Sequence, residues 1–218
     1  MDLYARPNQD PGRPCMITCA LSGVVANRAQ CAAIPYTPEE YAAEAKRAYE
    51  AGAAAVHIHA RSPDGAPSFE IEDYRAIRDA IVAECPVIIN FSTGAVGVSV
   101  EKRVAYLEAV RPAVAALNMG SMNYAKYNPK KKGFVFDFVF ENPFSEIRAL
   151  LAAMNRLDIK PECECFDAGH VGSLHPLIDM GELRAPFQVS LIMGVVGGVP
   201  GTVAQLLRQV EGLPPDSD

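Results

Sequence analysis

The chain has 218 residues, 50% hydrophobic and 21% charged, the balance of an ordinary globular domain with a sizeable core. A formal charge of −6 and a pI near 5.3 leave no basic footprint for nucleic acid, and no apolar run is long enough to cross a membrane. The six cysteines lack the density of a disulfide scaffold, and Met1 to Pro7 carry no apolar signal core, so a reducing cytoplasm is the expected location.

After a polar, proline-rich leader over residues 1–14, strand and helix signals alternate. Met16 to Leu21 reads as a first strand. Thr37-Pro38-Glu39-Glu40 then opens a helix: Thr37 can cap, Pro38 suits the first helical position, and Glu40 completes a capping box. Gly52 ends that helix. Ala54 to His59 is the second strand, and Ile71, Tyr74, Ile77 and Ile81 form the apolar stripe of a second helix. Val87 to Phe91 is a third strand, with Val100, Val104 and Leu107 marking its helix. Ala113 to Met119 is the fourth strand.

A long connection from Tyr124 to Glu141 follows. Its alternating Phe134 to Phe140 segment reads as a flap or small hairpin over a site, and Lys130-Lys131-Lys132 as a solvated loop tip. Asn142-Pro143 starts a helix carrying Ile147, Leu150, Leu151 and Met154. Glu162 to Phe166 is the fifth strand, with a short helix near His175 to Met180. Phe187 to Met193 is the sixth strand, and Thr202 to Leu213 the sixth helix.

Six β-α units in succession require a parallel sheet with helices outside it. Polar residues gather at the C-terminal ends of nearly every strand: Ser22, His57 and His59, Ser92 and Thr93, Asn118 and Ser121, Glu164 and Asp167. An open sheet would concentrate them at one crevice. A barrel brings all strand ends to one mouth, where barrel enzymes do their chemistry. The expected fold is therefore an α/β (β/α)8 barrel over residues 15–213, with its first six units present and a short tail over residues 214–218.

The sharpest local signal is His57-Ile58-His59 at the end of the second strand. Alternate side chains of a strand share a face, so the two imidazoles project together and can hold a divalent metal such as zinc. Ser92-Thr93-Gly94 offers hydroxyls and free backbone N–H groups to a carboxylate or oxyanion. Asn118 and Ser121 offer an amide and a hydroxyl after the fourth strand. Gly194 to Gly201 is rich enough in glycine for a ligand to approach the backbone, yet it matches no phosphate loop. Glu162 and Glu164 share one strand face, and an inward Glu164 is a candidate base or metal partner. Cys163 and Cys165 read as small buried hydrophobes in preference to soft metal ligands. His170 and His175 read as structural.

His57-Ile58-His59-Ala60-Arg61, Ser92-Thr93-Gly94, Ala116 to Asn123 and Pro161-Glu162-Cys163-Glu164, in this order, make the chain resemble the β-keto acid cleavage enzymes. The similarity runs from about Met16 to Leu213. The resemblance implies a zinc-containing (β/α)8 barrel, usually a homo-oligomer. It also implies a retro-Claisen exchange in which a β-keto acid and acetyl-CoA give acetoacetate and a new acyl-CoA. By position, His57 and His59 match the family's zinc histidines, Ser92 a substrate-contacting serine, and Glu164 the acidic group of the fifth strand.

Three departures qualify these expectations. Val25 stands where family members acting on an amino-substituted keto acid carry a glutamate, so a substrate without the amino group is expected. Ala116 stands where they carry a threonine. The family's late Arg-x-x-x-Glu-Asp motif, which implies a third zinc ligand, a catalytic aspartate and a substrate arginine, occurs nowhere in these residues. A C-terminally truncated barrel is thus expected. Two other readings compete: a different metal-dependent barrel aldolase or lyase, and a degenerate, non-catalytic barrel that binds a ligand or a completing subunit.

Overall fold

The computed structural model describes residues 15–185 and 187–215; the leader expected over residues 1–14 and the end of the expected tail fall outside them. In chain order the elements are β1 (Thr18–Ala20), α1 (Pro38–Glu50), β2 (Ala55–Ile58), α2 (Ile71–Glu84), β3 (Ile88–Phe91), α3 (Val100–Val110), β4 (Val114–Asn118), β5 (Met122–Asn128) and β6 (Gly133–Phe140). They continue with α4 (Phe144–Leu157), β7 (Lys160–Cys165), α5 (Ala168–Gly172), α6 (Leu174–Asp179), β8 (Gln188–Leu191) and α7 (Val203–Glu211).

Six strands form one sheet in the order β1-β2-β3-β4-β7-β8. Each pair is parallel, and the sheet curls into a partial barrel. Where the sequence predicts a (β/α)8 barrel, the described residues build this six-stranded arc, with β1 and β8 as its two ends. Two differences in detail have simple causes. Met122–Asn128 lacks a strong apolar pattern, yet it forms β5 because the alternating β6 segment supplies an antiparallel partner. The short helix expected after the fifth strand is two helices, α5 and α6, meeting at Ser173.

The capping box at Thr37 forms as the sequence requires, with the Thr37 side chain accepting from Glu40 N–H and the Glu40 carboxylate accepting from Thr37 N–H. The helices pack their apolar stripes on the outward side of the strands. Tyr41, Tyr74, Ile77, Ile81, Tyr106, Leu107, Ile147 and Leu151 bury against Val56, Ile58, Phe91, Ala115, Leu117, Cys163 and Cys165. Full burial of one such aliphatic or aromatic side chain contributes about 1.5–3 kcal/mol. Cys163 and Cys165 are wholly buried in this core, so the side of β7 that carries them faces the helices. Strand alternation then turns Glu162 and Glu164 to the concave side.

Candidate metal centre and active site

Strand alternation builds the site in two tiers on the concave face. In the lower tier His57 (β2), Asn90 (β3), Glu162 (β7) and Ser190 (β8) converge. Ser190 Oγ donates to Glu162 Oε1 at 2.5 Å, and Asn90 Nδ2 donates to Glu162 Oε2. His57 Nδ1 lies 3.7 Å from that same Oε2. Burial alone would raise the Glu162 carboxyl, but its contacts with His57, Ser190 and Asn90 hold it below the ordinary range. The same carboxylate, aided by the charge of Glu164, outweighs burial at His57 and raises its basicity. Glu162 thus plays the part of the carboxylate that orients an imidazole from behind.

In the upper tier, two residues further along each strand, His59, Ser92, Asn118, Glu164 and Ile192 line a cavity of about 480 Å³. His59 is fixed through its backbone: Tyr41 Oη and Ser22 Oγ both donate to its carbonyl, at 2.6 and 2.9 Å, and its N–H donates to Ser22 Oγ. Its Nε2 stands 3.4 Å from His57 Nε2. Two zinc–nitrogen bonds of about 2.05 Å at a tetrahedral angle put their nitrogens roughly 3.3 Å apart, so the pair fits one ion. Burial, then the neighbouring His57 and Arg61, push His59 down to about 3, which keeps its imidazole neutral and able to ligate.

Glu164 is the third group of interest. His57, Glu162 and Glu164 each offer a ligand atom, and these atoms lie within 4.8 Å of one another. That group omits His59, whereas the facing Nε2 atoms include it. The two sets share His57, with Glu162 at its Nδ1 and His59 at its Nε2, and the Nε2 pair has the tighter fit to a metal. Burial pushes the Glu164 carboxyl up to about 7, with His57 opposing and the Glu162 charge adding to the rise. A carboxyl so placed exchanges its proton near neutrality.

Of the predicted site residues, His59, Ser92, Gly94, Asn118, Glu164 and Val25 come together around this cavity, with His57 beneath them. Thr93 and Ser121 do not. Thr93 Oγ1 donates to Ala116 O at 2.6 Å, because a residue next to Ser92 must face the other way. Ser121 Oγ accepts from Asn142 N–H at 2.7 Å and ties the end of β6 to the start of β5. His170 is buried, accepts from Phe166 N–H at 3.2 Å and packs against Gly120, where a Cβ would lie 2.4 Å from its ring. His175 contacts Gly212 O at 3.0 Å. Neither lines the cavity.

Sequence reasoning passed over three groups. Asn90 is the one polar side chain in a run of apolar residues, which was a usable signal. Tyr41 and Tyr106, on α1 and α3, carry no signal of a site in the sequence, yet their hydroxyls donate to the carbonyls of His59 and Ser92, both at 2.6 Å. The hairpin of β5 and β6 covers the cavity, as expected of a flap, and contributes Tyr124, Phe138 and Phe140 to its wall.

Comparisons with known proteins place these observations. The model of the beta-keto acid cleavage enzyme family matches residues 14–218. A 3,5-dioxohexanoate:acetyl-CoA acetone transferase of Paraburkholderia graminis is 32% identical over 219 residues, covering 92% of this chain and 71% of that protein. A 3-keto-5-aminohexanoate cleavage enzyme of Acetoanaerobium sticklandii is 33% identical, with coverages of 93% and 71%. A 3-dehydrocarnitine:acetyl-CoA trimethylamine transferase of Rhizobium meliloti is 29% identical, with coverages of 93% and 72%.

Among solved structures, apo ObcA superposes with a TM-score of 0.59 at 25% identity, covering 74% of this chain and 36% of that one. A type I 3-dehydroquinate dehydratase from Clostridium difficile shares the fold alone, at a TM-score of 0.54 and 11% identity over 90% of this chain and 68% of that one. The chain therefore spans about 71% of the length of the first two relatives and little more than a third of ObcA (36%). With a family match over nearly its whole length and relatives above 30% identity, the chain belongs to the β-keto acid cleavage enzyme family.

Proposed function

We propose that the chain is a zinc-dependent β-keto acid cleavage enzyme that exchanges acyl groups with acetyl-CoA, on a keto acid lacking a 5-amino group. One observation carries this reading: His57 Nε2 and His59 Nε2 face each other at 3.4 Å, beside Glu164, against a cavity whose other walls are mainly apolar. Relatives named for transfers involving acetyl-CoA support the choice of co-substrate. The side-chain preference rests on Val25, Val24, Phe69, Val96 and Phe138, which line the cavity and offer no countercharge to an amine.

The exchange balances as R–CO–CH₂–COO⁻ plus acetyl-CoA giving acetoacetate plus R–CO–S–CoA. The bond between the ketone carbon and the carboxymethylene carbon breaks, as does the acetyl thioester. The carboxymethylene carbon joins the acetyl group, and the CoA sulfur takes the R–CO group. Held by His57 and His59, zinc would supply a positive charge that polarises a carbonyl oxygen of the keto acid.

Glu164, whose carboxyl burial raises in the metal-free site and whose ionised form a bound cation would favour, removes a proton from the carbon between the two carbonyl groups and returns it to acetoacetate. The Ser92 hydroxyl and the Asn118 amide offer hydrogen bonds to the substrate carboxylate. Glu162 keeps His57 aimed, and Tyr41 and Ser22 keep His59 aimed. The aromatic flap limits water at the thioester.

The test is incubation with ¹³C-acetyl-CoA and a panel of β-keto acids bearing alkyl, amino and carboxyl side chains. Label is expected in acetoacetate, together with a new acyl-CoA from the alkyl members, and both should vanish in zinc-stripped protein and in His59→Ala. Unlabelled acetoacetate, or cleavage without acyl-CoA, would favour a different metal-dependent lyase. No turnover of any member by zinc-loaded protein would contradict the reading.

A further inference from the structure

The cavity at Glu164 does not end at the flap. A second compartment of about 400 Å³ shares Val25, Ala26, Tyr124 and Val195 with it, so the two adjoin, the second lying between the loop after β1 and the β5–β6 hairpin. The outer compartment adds Gln30, Lys126, Tyr127, Phe136 and the backbone of the glycine-rich loop at Gly194 and Val196. We propose that this outer compartment and the lysine-rich turn beyond it hold the phosphorylated nucleotide arm of the acyl-CoA co-substrate. The proposal rests on acetyl-CoA being the co-substrate, as argued above.

The hairpin's register supports it. Tyr124 pairs with Phe138 and Lys126 with Phe136, which places these four on one face, toward the cleft, while Val135, Asp137 and Val139 fall on the other. Tyr124 stacks on Phe138 and Phe136 at centroid distances of 5.4 and 6.3 Å. Past the irregularity after Lys126, Tyr127 and Phe134 meet edge to face at 5.9 Å, with 47% and 61% of their surfaces exposed. A row of rings that begins at the inner cavity thus ends in open aromatic surface, which suits a purine base.

The charge follows the same line. Lys126, Lys130, Lys131 and Lys132 lie along the hairpin and its turn, and none forms an ion pair among the described residues, whereas Lys46, Lys102, Arg103, Arg148 and Arg156 do. In a chain of net charge −6, this group of unpaired cations matches a diphosphate and a 3′-phosphate. The facing wall is held in place. Ala125 N–H donates to Val196 O at 3.2 Å, and at Gly197, with φ +109°, a Cβ would lie 1.7 Å from Asn123 O. No other residue fits that turn, so hairpin and loop are locked together before a ligand arrives.

The experiment measures binding of CoA, and of adenosine 3′,5′-bisphosphate as the nucleotide end alone, by titration calorimetry of the full chain. Compared are the wild type, Lys126→Ala, the triple change Lys130→Ser, Lys131→Ser and Lys132→Ser, and Tyr127→Ala, with circular dichroism and zinc content as controls. Expected are competition between the two probes, affinity that falls with added salt, and about tenfold or greater weakening in the lysine variants. Wild-type affinity for CoA in both lysine variants would overturn the proposal. So would sedimentation showing that Tyr127→Ala separates paired copies of the chain while CoA affinity is unchanged. Nucleotide binding without any acyl exchange would sink the reaction assigned above and leave this site standing. Exchange with an unaltered KM for acetyl-CoA in the lysine variants would do the reverse.

Discussion

At the scale of single residues, the proposed metal centre depends on a carboxylate that does not line the cavity. Glu162 is buried, accepts from Ser190 and Asn90, and stands 3.7 Å from His57 Nδ1. Replacing it by glutamine keeps the shape but removes the charge that makes His57 a strong ligand. Glu162→Gln is expected to weaken zinc binding about 10–100-fold with an unchanged circular dichroism spectrum, measured by competition with a chromophoric chelator. The His57 and His59 pair was legible because a strand's period of two is strict. The same period argued against grouping Thr93 with Ser92, and the structure turns Thr93 to Ala116. Glu162 was visible as a neighbour of Glu164, but its place behind His57 was not, since it comes from the pairing of strands far apart in sequence.

At the scale of elements, start and stop signals were read more reliably than partners. The capping box at Thr37 and Glu40 formed as its spacing required. Hydrogen bonds from Tyr36 N–H and Thr37 N–H hold the Glu40 carboxyl below its usual range, against a small opposing effect of burial. Glu40→Ala is expected to lower stability to urea by about 0.5–1 kcal/mol at pH 7. A lowered native pKa stabilises above the unfolded value and is lost as pH falls through the native one. The difference between wild type and variant should therefore shrink below about pH 4.5; a difference constant from pH 7 to 3 would contradict it. The β5–β6 hairpin was half legible. Phe134 to Phe140 alternates, but Met122–Asn128 is too mixed in pattern to announce a strand, and only the antiparallel pairing defines it.

At the scale of the whole molecule, the order of β-α units was legible from periodicity, and the parallel six-stranded sheet follows it. Closure of the sheet was not, because curvature is set by the register of every strand pair together. The concave face concentrates ionisable groups whose titration burial displaces, and this gives the fold a pH signature. Glu164 has its native pKa raised to about 7 by burial. A raised carboxyl favours the folded state below its unfolded pKa and forfeits that advantage as pH rises through the native value. Relative to Glu164→Gln, metal-free wild type is expected to lose about 1–2 kcal/mol between pH 5 and 7, less than the full shift implies because Glu164 borders the solvated cavity; the depressed His59 acts in the opposite direction in both proteins and cancels from the comparison. Glu164→Gln should lack this slope in urea titrations across the same range; identical slopes would count against the placement of Glu164.

The proposed chemistry depends on whether His57 and His59 grip one ion. Zinc K-edge absorption on the zinc-loaded chain tests this most directly. The expected result is about one zinc per chain with two imidazole nitrogens at about 2.0–2.1 Å, and loss of that signal in both His57→Ala and His59→Ala. Zinc held by sulfur, or held equally well by both alanine variants, would contradict it.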